Sequence, residues 1–79
     1  MKLVLSGLSP ETNLDTLRER MNHFGPVGTI EVIREGDPDT PWFIVELDLP
    51  PGAANEVARR IDGIYFHDRF IRARVMLHG

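Results

Sequence analysis

Seventy-nine residues, 42% hydrophobic and 27% charged, suit one small folded domain, residues 1–79, near the size below which a core needs covalent or metal staples. With no cysteine, disulfides and thiolate metal centres are excluded, and a cytoplasmic, reducing location is expected. The formal net charge of −3 opposes a general electrostatic grip on polyanions, so any basic surface must be local.

Lys2 to Ser6 alternates, with Leu3 and Leu5 on one parity and Lys2, Val4 and Ser6 on the other. The charged and hydroxyl residues mark the second set as the solvent side of a half-buried strand. This opening run is interrupted by Ser6, Gly7 and Pro10, too early for a signal peptide, and no later stretch has the length of a membrane span. Gly7 to Thr12 is a loop. Asn13 is placed to cap a helix, with Asp15 in its first turn. Leu14, Leu17, Met21 and Phe24 recur at helical spacing, leaving Arg18, Glu19, Arg20 and Asn22 on the other face. Gly25-Pro26 is the expected stop.

In a second strand, Ile30 and Val32 alternate with Thr29, Glu31 and Ile33. Residues 35–41 are rich in turn formers. Trp42 to Leu47 then alternates again, with Glu46 marking the outward parity that Trp42 and Ile44 share. Pro50-Pro51-Gly52 closes this segment. Ala54, Val57, Ala58 and Ile61 form the stripe of a second helix, stopped by Asp62-Gly63. After a short aromatic stretch (Ile64, Tyr65, Phe66), Ile71, Ala73 and Val75 alternate with Arg72, Arg74 and Met76 in a last strand. The order is strand, helix, strand, strand, helix, strand. Right-handed crossovers make this a four-stranded antiparallel sheet with both helices on one face and the other face open.

Several segments together resemble the RNA recognition motif, and the likeness covers nearly the whole chain. Leu3-Val4-Leu5-Ser6-Gly7-Leu8 stands where that family carries its six-residue motif. Phe24-Gly25-Pro26-Val27 is similar to the segment after its first helix, and Thr40 to Leu47 occupies its eight-residue motif. Ile61-Asp62-Gly63 and Asp68 to Arg72 resemble the end of its second helix and the start of its last strand. The resemblance implies an α+β, ferredoxin-like sandwich that binds RNA on the open sheet. Family members stack bases on aromatic side chains of the first and third strands. Trp42 keeps one such position, Ile44 and Val4 replace two others, Thr40 stands in place of a basic residue, and Pro41 in place of a glycine.

The expected function is therefore a noncatalytic RNA-binding domain contacting short single-stranded RNA through Lys2, Val4, Ser6, Trp42, Ile44, Arg72 and Arg74. Glu35, Asp37 and Asp39 in the loop before the third strand repel phosphate, so affinity should be modest. Arg69, in the turn before the last strand, is read as structural. Gly79 closes the sequence, so no helix is expected to cover the indole.

The alternative is a protein-interaction or homodimerisation module on the same fold, using the apolar patch of Val4, Ile33, Ile44 and Trp42. His23, His67 and His78 lack metal-ligand spacing, and the acidic loop lacks the ordered ligands of a calcium site. His67-Asp68 reads as a hydrogen-bonded loop pair rather than a catalytic dyad. No phosphate-cradling loop of the acylphosphatase kind lies between Ser6 and Pro10. No catalytic residue, metal or cofactor is expected, and the chain is not read as an enzyme.

Overall fold

The computed structural model describes residues 1–66 and 68–76. The elements are β1 (Lys2–Ser6), α1 (Leu14–Asn22), β2 (Val27–Ile33), β3 (Trp42–Leu47), α2 (Pro51–Ile61), β4 (Tyr65–Phe66), β5 (Arg69–Phe70) and β6 (Arg72–Met76). Strands β2-β3-β1-β6 form one sheet, antiparallel at every pairing, and β4 and β5 form a separate hairpin. This is the expected α+β arrangement. Its connections return each helix to the same face of the sheet.

The alternating strands explain how one face is buried. Leu3, Leu5, Phe43, Val45 and Leu47 pack in one cluster with Leu17 and Met21 of α1 and Val57, Ala58 and Ile61 of α2. Their neighbours of opposite parity, Lys2, Val4, Ser6, Trp42, Ile44 and Glu46, are all half-buried or exposed. A one-residue slip of β1 against β3 would exchange these sets, so burial of the aliphatic set holds the register.

Helix α1 begins as its sequence dictates: Asn13 Oδ1 accepts the Asp15 and Thr16 amides at 2.8 and 3.2 Å. Three readings of its surroundings need correction. Leu14 is 41% exposed, because it sits one turn before Leu17, where α1 has not yet met the sheet. Arg18 is not a solvated residue; its Nη1 donates to the Val27 and Gly28 carbonyls at 3.3 and 2.8 Å, tying the helix to β2. The helix also ends earlier than Gly25, with His23 as its last cap. Gly25 serves packing instead, since a Cβ there would press on the Leu49 side chain at 2.9 Å.

Pro50 and Pro51 open α2 rather than merely closing β3: Pro50 is the N-cap and Pro51 the first helical residue, a position where a missing N–H costs nothing. The stretch after α2 holds a hairpin, Tyr65 opposite Phe70 and Phe66 opposite Arg69. Arg69 therefore belongs to a strand and is exposed. The readings of His67 and His78 lie outside the described residues. No helix among the described residues is long and apolar enough to cross a membrane.

Candidate functional site

The open face follows from strand phasing. Register places Ile33 opposite Trp42, Ser6 opposite Arg72, and a row Glu31–Ile44–Val4–Arg74 across all four strands. Trp42 is 56% exposed, which agrees with its outward parity and sets its indole on the side away from both helices. Directly inward of it, Phe43 is almost wholly buried and Pro41 is buried as well. The exposed ring is thus carried on a backbone pinned from below.

Five of the seven expected residues surround one shallow cleft of about 440 Å³: Val4, Ser6, Trp42, Arg72 and Arg74, with Val75 completing the wall. Ile44 adjoins this group through its pairing with Val4. Lys2 does not line it. It lies opposite Glu46 and Met76, in a separate depression that also includes Val27, Gly28 and Asp48. The register sets Lys2 diagonally from Arg74 on the neighbouring strand, so the three basic side chains follow one another along the β1–β6 half, with Lys2 at the end away from the indole. The cause is strand length: Lys2 and Ser6 stand at opposite ends of β1.

Arg72 is also less free than its parity suggests. Its Nε donates to Asp62 Oδ1 at 2.9 Å, and the same oxygen accepts the Ala73 amide at 3.0 Å. These bonds, the Ala73 amide first and the Arg72 side chain second, hold the Asp62 carboxyl below its ordinary pKa of 3.8. Asp62 follows α2 directly, so it can reach over the sheet edge to β6. Arg74 makes no ion pair among the described residues, which leaves it the more available guanidinium.

Charge is divided across the face. Arg72 and Arg74 occupy β6, whereas Glu31 and the acidic residues 35, 37 and 39 lie on β2 and the loop beyond it. An anion is drawn to the β1–β6 half and repelled from the β2 half, at the short range that salt permits.

Tyr65 and Phe70 entered the sequence reading only as neighbours of the last strand. Both are large, exposed aromatics on the hairpin beside β6. Alternation around the buried Phe66 and Ile71 was the available signal. Asp62 could not have been recognised as the partner of Arg72, since ten residues and a hairpin separate them. Among the described residues, no group of His, Asp or Glu side chains could hold a metal ion.

The fold is shared with solved structures. A structure of Pes4 RRM3 superposes with a TM-score of 0.82 at 14% identity, covering 99% of this chain and 93% of that one. The three N-terminal RNA binding domains of the yeast splicing factor Prp24 give 0.80 at 12% identity, covering 98% of this chain but 32% of that one. The chain thus spans about a third of the Prp24 fragment. The Rna15 RRM with bound RNA (GU) gives 0.71 at 14% identity, over 96% of this chain and 83% of that chain. No curated protein matches the sequence significantly. The sequence profile described as RNA recognition motif matches residues 3–72, and the chain belongs to that family.

Proposed function

We propose that the open sheet face binds a short stretch of single-stranded RNA, without catalysis and at modest affinity. The observation that carries this is the meeting of an exposed indole, the Ser6 hydroxyl and two arginines around one cleft. A base stacks on Trp42 because every base offers a π-face. Val4 and Ile44 supply flat aliphatic contact, Ser6 a hydrogen-bonding group, and Arg74 with Arg72 the phosphate contacts. Lys2 would touch only a strand long enough to reach the far end of β1. Membership of the family and the RNA held by the Rna15 domain support the reading. The cell compartment proposed is the cytoplasm, on the ground of a cysteine-free chain.

The test is an NMR titration with a pool of short random single-stranded RNAs. Shifts should cluster on β1, β3 and β6, and Trp42→Ala should weaken binding by roughly 1–3 kcal/mol, about 5- to 150-fold. A flat titration sinks the proposal.

A second reading has its own observation. Ile33, Trp42, Ile44 and Val4 are linked by register into an apolar patch beside an acidic loop. Such a patch suits a polypeptide or a second copy of the chain. Concentration-dependent shifts on that patch, indifferent to RNA, would favour it.

A further inference from the structure

One indole is a short platform for a single strand, because proteins that track single-stranded nucleic acid without reading its sequence hold roughly four or more nucleotides on successive stacking groups. The molecule carries two more exposed rings. Tyr65 and Phe70 are 62% and 66% exposed, and their centroids lie 5.1 Å apart with planes at 60°. This edge-to-face arrangement is favourable between the rings and leaves ring faces open to a third π-system.

Alternation assigns both rings to the side of the molecule that the open sheet occupies. Phe66 is buried in the core beneath the helices, so its neighbour Tyr65 takes the opposite side of the ribbon, and Phe70 pairs with Tyr65. Following the chain into β6 gives the same answer: Phe70, Arg72 and Arg74 are exposed, while Ile71 and Ala73 between them are buried.

The base of the hairpin is closed by its own backbone bonds and packs against the loop after β1. The Gly63 amide donates to the Ile71 carbonyl at 2.6 Å, and the Ile71 amide to the Ile64 carbonyl at 2.9 Å. Gly7, at φ +89°, lies so close that a side chain there would collide with the Phe70 carbonyl. Tyr65 is oriented further by its hydroxyl, which donates to Asp68 Oδ1 at 3.2 Å.

We infer that Tyr65 and Phe70 form a second base-stacking platform, extending the RNA path from Trp42 past Ser6 and Arg72 onto the hairpin. Two strand spacings across the sheet and two residues along it put Phe70 on the order of 12 Å from Trp42. A few nucleotides span that gap. Arg72 lies between the two platforms, where phosphates joining the stacked bases would pass. The inference rests on the RNA-binding reading above.

Anisotropy titrations of the full chain with random single-stranded RNA pools of two and nine nucleotides separate the two claims. Tyr65→Ala with Phe70→Ala should weaken the nine-mer about fivefold or more while leaving the dinucleotide at the Trp42 cleft within about twofold. Trp42→Ala should weaken both. Should the double alanine variant lose its fold, Tyr65→Leu with Phe70→Leu keeps the apolar cover and removes only the rings. Wild-type affinity for the nine-mer in a folded double variant, with Trp42→Ala still impaired, overturns the platform and leaves the cleft reading standing. Absence of binding by the unmodified chain overturns both. Shifts of the Tyr65 and Phe70 rings that follow protein concentration and ignore RNA assign the hairpin to self-association and overturn the platform.

Discussion

Arg72 and Asp62 are joined across the free edge of the sheet, Nε to Oδ1 at 2.9 Å, and that carboxylate oxygen also takes the Ala73 amide. One side chain thus fastens the end of α2 to β6, covers an edge amide and restrains a guanidinium at the mouth of the candidate cleft. On the proposed RNA-binding reading, stability and ligand affinity are set against each other at this point.

Asp62→Asn should therefore separate them. The melting temperature should fall at neutral pH, while affinity for short RNA rises by about twofold, the scale of a screened surface charge interaction. The pH dependence has a definite sign. The Asp62 carboxyl has a lowered pKa in the folded state, so its contribution is present above the ordinary value of 3.8 and is lost as pH falls through the folded value. Thermal melts of both proteins down a pH series should converge only below 3.8. A constant gap through the acid range would show that the carboxylate's charge is not what stabilises the edge.

Binding should depend on salt only shallowly. Two or three phosphate contacts, at roughly 0.7 each for a single strand, give a slope of log K against log salt between about −1.4 and −2.1. Arg74→Ala should reduce its magnitude by about 0.7 and weaken all short RNAs alike. An unchanged slope would place the phosphates elsewhere.

Ile44→Phe should strengthen RNA binding by about 1 kcal/mol, roughly fivefold, since a ring at this position stacks where an aliphatic group only touches. Ile44 is half-buried on the open face beside Val4, so the fold should tolerate the ring. Calorimetric titration of both proteins checks the gain. Equal affinities would mean that no base visits the centre of the sheet.

Gly7→Ala and Gly36→Ala form a matched pair. Both glycines have φ +89°, but a Cβ at Gly36 meets nothing within 4 Å, whereas one at Gly7 collides with the Phe70 carbonyl. Backbone strain of about 1–3 kcal/mol applies to each, and only Gly7 adds displacement of the hairpin. Urea unfolding should rank Gly7→Ala clearly below Gly36→Ala. Similar midpoints would refute a tightly held hairpin.

Strand phasing was written in the sequence because alternation is a local property. Leu3 and Leu5 against Lys2, Val4 and Ser6, and Phe43 and Val45 against Trp42, Ile44 and Glu46, assign each residue a face without knowledge of its neighbours in space. The Asn13 cap was legible for the same reason, since donor and acceptor lie within three residues. Tertiary structure decided what depends on position along a strand or on distant partners. It set Lys2 at the end of β1 away from the indole, committed Arg72 to Asp62, turned Arg18 to the β2 carbonyls and left Leu14 outside the core. Periodicity states which side of an element a residue takes. It does not state how far along that element the neighbouring segment extends, and these four outcomes turn on that distance.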